Sequence, residues 1–181
     1  MNPRISLAQA RRMRGVTLIE VLVTMVIVAV GLLGLAGMQV RGLSIQKDAH
    51  GRALATQLAL DIADRMRSNT GALASYQFAT AFAGTYTAPG VDCLAAVCTA
   101  TQQAQYDFDQ WFARVRGGAL PGGWANIVPA LGSANAWDVT LMWVETGFRT
   151  NGTLRTALGS SCPAALVLPQ EVECVTVRVW P

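Results

Sequence analysis

The chain has 181 residues, of which 52% are hydrophobic and only 14% are charged. This length is enough for one domain with an appended helix. The formal charge of +3 comes from four arginines among residues 1–15, whereas the remainder has ten basic and eleven acidic residues. The composition therefore excludes a protein that binds nucleic acid through net positive charge.

The N-terminal stretch has the pattern of a membrane-spanning helix. Arg11, Arg12 and Arg14 precede Gly15, and the 20 residues at positions 21–40 carry no charge. As a helix, this run would be about 30 Å long, the thickness of the hydrocarbon core of a bilayer. The arginines predict a cytoplasmic N-terminus and an exported remainder.

Glu20 is the single charge between Gly15 and Arg41. A carboxylate at the centre of a membrane helix costs about 2.5–3.5 kcal/mol, so such a residue usually has a partner. One alternative is an acid that simply lies at the headgroup level. Another is a secretory signal cut after the sequence Gly-Leu-Ala at positions 34–36. Nothing in a secretory signal requires a glutamate, which favours the partnered acid.

The segment from Arg14 to Leu22, RGVTLIEVL, resembles the class III signal of type IV prepilins and pseudopilins. The resemblance implies that a prepilin peptidase cuts after Gly15 and methylates the new N-terminal Val16. It also implies that Glu20 pairs with the N-terminus of an adjacent subunit. The family usually has phenylalanine in place of Val16, and many major pilins have a proline soon after Glu20. This chain has neither, which favours a minor pilin over a major one.

The helical pattern continues well beyond the predicted membrane span. Pro3 and Pro89 are separated by a stretch without proline, and the sequence Ser-Asn-Thr-Gly at 68–71 has the chemistry of a helix end. We therefore predict one helix over residues 16–68, roughly 80 Å long. An apolar stripe repeats every four residues in its second half, at Leu54, Leu58, Ile62 and Met66.

All four cysteines, Cys93, Cys98, Cys162 and Cys174, follow the membrane segment. An even number of cysteines in an exported domain favours disulfides over free thiols. Three connectivities are possible, and the sequence-local pairs Cys93–Cys98 and Cys162–Cys174 are favoured because each closes a short loop. A zinc site is the rival interpretation, but neither pair has C-x2-C spacing and no histidine lies nearby.

The C-terminal part has the patterns of a small mixed domain. Residues 72–100 have little periodicity and predict an extended loop. A capping box of Thr99 and Gln102 then opens a short amphipathic helix that ends near Gly117. Alternating apolar residues predict strands at 137–143 and 172–180, with shorter strands at 127–128 and 164–168. The predicted fold is α+β and type IV pilin-like, a long helix packed on an antiparallel-sheet head.

The predicted organisation has four parts. Residues 1–15 are a cleaved leader and residues 16–40 are the membrane-spanning half of the helix, which also forms the core of a fibre. Residues 41–68 are the amphipathic half of the helix, and residues 69–181 are a periplasmic head with two disulfides. The inner membrane holds the chain by this single span until it enters a pilus.

Sequence patterns argue against an enzyme. The only histidine is His50, on the long helix near the membrane, and no phosphate loop or metal-ligand spacing is present. Asp107 and Asp109 are two apart on a predicted helix and thus on divergent faces, a poor acid pair. No cofactor or metal is predicted.

The resemblance implies instead a minor pilin that primes or caps a type IV pilus and supports adhesion and twitching motility. Its partners would be the prepilin peptidase, other minor and major pilins, and the inner membrane. A minor pseudopilin of type II secretion is the main alternative. A signal-anchored enzyme or binding protein of the envelope is the third hypothesis.

Overall fold

The computed structural model describes residues 15–133, 135–144, 162–166, 168–169 and 172–181. Of the predicted leader, only Gly15 falls among these residues. The contacts divide the chain into two units, Met1–Leu43 and Ser44–Pro181.

Helix α1 covers Leu18–Ser68 and has 51 residues. It confirms the single long N-terminal helix that the absence of proline predicted. In the second unit its apolar stripe is buried at Leu58, Ile62 and Met66 and half-buried at Leu54, because residues four and three apart lie on one face of a helix. The neighbouring alanines at 55, 59 and 63 are buried on the same face.

A 3₁₀ helix at Thr70–Tyr76 follows α1, where an extended loop was predicted. The prediction was wrong here because Ala72 and Tyr76 are buried in the core, and this burial holds the segment in a compact turn. The remaining predicted loop contains one isolated bridge, in which Phe78 pairs with Ile127 through two backbone hydrogen bonds.

Helix α2 covers Ala100–Arg114 and begins with the predicted capping box. The Thr99 side chain accepts a hydrogen bond from the Gln102 backbone, and the Gln102 side chain accepts one from the Thr99 backbone. A wider helical turn at Val115–Ala119 follows α2, within which Gly118 adopts φ 101°. Only glycine takes this backbone conformation without strain, which explains why the helix ends here.

Three antiparallel strands form the sheet in the order β1-β2-β3. Strand β1 covers Trp124–Pro129, β2 covers Trp137–Val144, and β3 covers Val172–Val179. The small antiparallel sheet after a long helix confirms the predicted fold class. Residues 164–166 are a turn and not the predicted strand, since the Leu166 N–H bonds back to the carbonyl oxygen of Pro163.

The central strand β2 is buried on both faces. Trp137, Val139, Leu141 and Trp143 are buried on the predicted face, but Thr140 and Met142 on the other face are buried as well. The register places Met142 between Trp124 of β1 and Cys174 of β3, and both of these neighbours are buried. Alternation in the sequence therefore identified the strand but not the covering of its second face.

An aromatic cluster joins α2 to the start of the sheet. Phe112 of α2 lies 5.1 Å from Trp124 and 4.9 Å from Tyr86, measured between ring centroids. Phe78 contacts the same cluster and lies 5.0 Å from Phe108. Such edge-on and tilted aromatic pairs stabilise a core beyond the area they bury. Phe108, Trp111 and Phe112 of α2 are therefore core residues.

Candidate functional site

The segment at the predicted cleavage point precedes the helix. Gly15, Val16 and Thr17 have no regular secondary structure and are exposed. The first helical turn closes when the backbone N–H of Glu20 donates to the carbonyl oxygen of Thr17 at 3.1 Å. The bond between Gly15 and Val16 thus lies on exposed backbone outside the helix, where proteolysis concentrates.

Glu20 lies in the first turn of α1 and its side chain is exposed. The free N–H groups of that turn give the helix end a partial positive charge, which favours a carboxylate there. Val16 lies four residues before Glu20. Cleavage after Gly15 would therefore place a new cationic amine and the carboxylate within one short segment of the same chain.

The apolar part of α1 is uncovered. From Val16 to Val40 every described residue is exposed, and an 18-residue window reaches a mean hydropathy of 2.7 with none of it buried. By length and composition this helix is able to cross a membrane, and a signal sequence shares these two properties. An apolar surface of this size is unfavourable in water and marks contact with lipid or with other proteins.

A polar network within the second unit was not predicted from the sequence. Asp107 of α2 is only 9% exposed and accepts hydrogen bonds from the Tyr76 hydroxyl at 3.0 Å and from Gln103 Nε2 at 2.9 Å. Arg65 Nη1 of α1 lies 3.5 Å from the same carboxylate. Burial, with the nearby Asp107 charge as the second cause, raises the pKa of Tyr76 to about 12.

This network connects α1 to α2 and to the 3₁₀ helix. Its local part is the Asp61–Arg65 pair, four residues apart on α1, with the two side chains 3.4 Å apart. Asp61 also pairs with Arg114 of α2. No local sequence pattern indicates that Asp107 binds Arg65 and Tyr76, because these residues lie 42 and 31 positions away from it along the chain.

Two further contacts hold α1 within the second unit. The indole Nε1 of Trp111 donates to the carbonyl oxygen of Leu58 at 2.8 Å, and both groups are buried. Arg52 Nη2 lies 2.8 Å from Oε2 of Glu173 in β3, and Glu173 is only 8% exposed. The amphipathic half of α1 is thus fixed by directional bonds as well as by its apolar stripe.

The structure contains disulfides at Cys93–Cys98 and Cys162–Cys174, which are the two sequence-local pairs. The first lies in the segment that leads into α2, and the second joins the turn after Cys162 to strand β3. Among the described residues, no group of three or more histidines, cysteines or carboxylates is arranged to hold a metal ion.

Two family models match the chain. Residues 10–36 match the prokaryotic N-terminal methylation motif, and residues 37–109 match the type IV pilin Tt1218. The first match contains Gly15, Val16 and Glu20, and the second contains the head-packed half of α1 and most of α2. No curated protein and no solved structure gives a significant match.

Proposed function

The chain is a type IV prepilin, and from this premise we propose that it acts as a minor pilin. The observation that carries the proposal is the exposed apolar helix with a single acid in its first turn. The type IV pilin family is structural, so the proposed role is assembly without catalysis. The methylation motif implies processing by a prepilin peptidase and assembly with other pilins.

Processing is proposed to remove residues 1–15. The peptidase would cut the exposed bond after Gly15 and methylate the amine of Val16, which stays able to carry a positive charge. Residues 16–40 would then span the inner membrane, with the basic leader on the cytoplasmic side. Residues 41–68 and the head, residues 69–181, would lie in the periplasm until the subunit enters the pilus.

Glu20 is proposed to set the register of assembly. Opposite charges in a low-dielectric environment attract strongly, whereas a lone buried charge is heavily penalised. If the Glu20 carboxylate meets the Val16 amine of a neighbouring subunit, both charges are compensated in one register only. A subunit in any other register would bury an unpaired carboxylate.

The sequence favours a minor pilin of one kind. The stretches at 31–39 and 61–69, with patches at 105–111 and 120–123, are similar to the minor pilin PilV, also called the type IV pilus modification protein. We propose that this chain, together with other minor pilins, primes or caps the fibre and thereby supports adhesion and twitching motility. The contacts of Asp107 would hold the head on α1 while the subunit is inserted.

Mass spectrometry of protein from sheared fibres tests processing and incorporation together. The expected N-terminus is a methylated Val16, in a chain that has lost residues 1–15. The variant Gly15→Ala should retain the leader, because the peptidase of this family cuts after a glycine. A native chain that keeps Met1, or that begins about twenty residues further along, would contradict the proposal.

The role of Glu20 is tested by incorporation into sheared fibres. Glu20→Ala should be processed normally, but its amount in the fibres should fall at least tenfold relative to the membrane pool. The matched control is Thr24→Ala, because the Thr24 hydroxyl bonds only the local carbonyl oxygen of Val21 at 2.8 Å. Equal incorporation of the two variants would refute the charge pairing.

A minor pseudopilin of type II secretion would use the same N-terminal chemistry. The match of residues 37–109 to a type IV pilin favours the pilus. A deletion strain separates the two functions, since loss of fibres and twitching with normal secretion supports the pilus. Lost secretion with normal fibres supports the pseudopilin.

A further inference from the structure

The two disulfides have different surroundings. Cys174 is fully buried in β3, and Cys162 packs against the core. Cys93 and Cys98 are only partly buried, and all four residues between them are exposed, with Leu94 at 86% and Val97 at 103% of full exposure. Because thiol–disulfide exchange depends on access to sulfur, Cys93–Cys98 is the disulfide that a thiol in solution reaches first.

The surroundings of Cys93 and Cys98 also differ in charge. Cys98 directly precedes Thr99, the N-cap of the 15-residue helix α2, whose first turn contains no acidic residue. The N-terminus of a helix stabilises a thiolate. Cys93 directly follows Asp92. The Asp92 carboxylate accepts a hydrogen bond from the backbone N–H of Leu94 at 2.9 Å, which holds the carboxylate next to the Cys93–Leu94 segment.

A neighbouring carboxylate disfavours a thiolate. The Asp92 carboxylate therefore opposes negative charge at Cys93, while the helix end favours it at Cys98. Both effects make Cys98 the better leaving group when the disulfide is attacked, because a more stable thiolate leaves faster. This difference decides which of the two sulfurs is attacked and which one leaves.

We propose that Cys93–Cys98 is a thiol–disulfide exchange site at which an attacking thiol bonds to Cys93 and releases Cys98. The attacking thiolate forms a new sulfur–sulfur bond with Cys93 Sγ, and the old bond breaks with its electron pair on Cys98 Sγ. A dithiol partner then uses its second thiolate to displace Cys93, which takes up a proton. The partner is left as a disulfide and both cysteines are reduced.

The partner that fits this chemistry is a dithiol oxidoreductase in the compartment that holds the head, which is the cell envelope if the proposed function is correct, and it acts on the loop while the head stays folded. Helix α2 does not depend on this disulfide for its position, since Trp111 bonds Leu58 and Asp107 bonds Tyr76. Opening the loop leaves these contacts in place. The inference holds whether the protein works in a pilus or in a secretion system.

Reduced glutathione, a monothiol, is the probe that maps the attack. The full chain in detergent is incubated with glutathione, quenched with N-ethylmaleimide, digested and examined by mass spectrometry. Glutathione is expected on Cys93 and maleimide on Cys98, with Cys162–Cys174 intact. The expected ratio of glutathione at Cys93 to glutathione at Cys98 is about threefold or more, since the helix end alone changes the thiolate population by about 2–5-fold.

Two controls isolate the causes. Asp92→Asn keeps an acceptor for the Leu94 N–H but removes the charge, and it should lower the ratio. In denaturant the preference for Cys93–Cys98 over Cys162–Cys174 should vanish, because it depends on burial. Glutathione equally on both sulfurs, or release of Cys162 and Cys174 at the same rate in the folded chain, overturns the proposal.

Discussion

The contact of Asp107 with α1 and the 3₁₀ helix makes a quantitative prediction. Asp107→Ala removes a carboxylate that accepts hydrogen bonds at 2.9 Å and 3.0 Å in a nearly buried position. Hydrogen bonds to charged groups contribute about 1.5–3 kcal/mol each. The Tyr76 hydroxyl keeps a second acceptor, the carbonyl oxygen of Arg65 at 3.2 Å, so the lower end of the range applies.

Two bonds at that lower end predict a loss of about 3 kcal/mol in the free energy of unfolding. Asp107→Asn keeps one carbonyl acceptor and should lose about half as much. The assay is urea unfolding of the full chain in detergent, followed by tryptophan fluorescence, to which the buried Trp111 contributes. A double-mutant cycle with Tyr76→Phe should give a coupling energy of about 0.5 kcal/mol or more.

The matched control is Asp64→Ala. Asp64 is an exposed acid on the same helix as Arg65 and pairs with Arg67 at 2.6 Å. Exposed pairs contribute about 0–1 kcal/mol, so little stability should be lost. If Asp107→Ala were no more destabilising than Asp64→Ala, the network would not hold α2 on α1 and the reasoning would be wrong.

Three other variants probe different parts of the head. Burial raises the pKa of Tyr76 to about 12 from 10.0. Tyr76 therefore loses its proton at a lower pH in the unfolded chain than in the folded one, and the free energy of unfolding should fall between about pH 10 and pH 12. Tyr76→Phe should flatten this loss in alkaline unfolding curves, and an unchanged slope would contradict it. Gly123→Ala should be strongly destabilising in thermal unfolding, since its Cβ would overlap a backbone carbonyl oxygen, whereas Gly117→Ala meets nothing within 4 Å and should be tolerated. Trp111→Phe removes the donor to Leu58 and should cost about 1 kcal/mol in urea unfolding; no loss would show that this bond is dispensable.

Local sequence patterns predicted much of the fold. The absence of proline and the four-residue apolar spacing predicted α1, and the capping box at Thr99 predicted the start of α2. These signals are readable because each depends on residues within a turn or two of one another. The predicted strand at residues 164–168 was wrong in its described part, because Pro163 and the disulfide at Cys162 favour a turn over strand pairing.

The proposed assembly residues could be named from the sequence alone. Gly15, Val16 and Glu20 belong to one short motif with fixed spacing, and in the proposed function a peptidase or a neighbouring subunit would meet that motif without help from the head. The basic residues before Gly15 and the uncharged run after Glu20 complete the pattern that identifies the motif. The structure adds that these residues are exposed and that Glu20 lies in the first turn of α1.

Tertiary structure alone decided what Asp107 does, why Gly123 has no room for a side chain, and why β2 is buried on both faces. The role of Asp107 and the burial of β2 depend on residues far apart in the chain, such as Arg65 and Asp107 at a separation of 42. At Gly123 the obstacle is the carbonyl oxygen of Val115, which the turn after α2 brings back against it. A linear pattern describes the neighbours of a residue along the chain. It does not record which distant side chains folding brings into contact with that residue, and in the second unit of this chain such contacts join α2 to α1 and to the 3₁₀ helix.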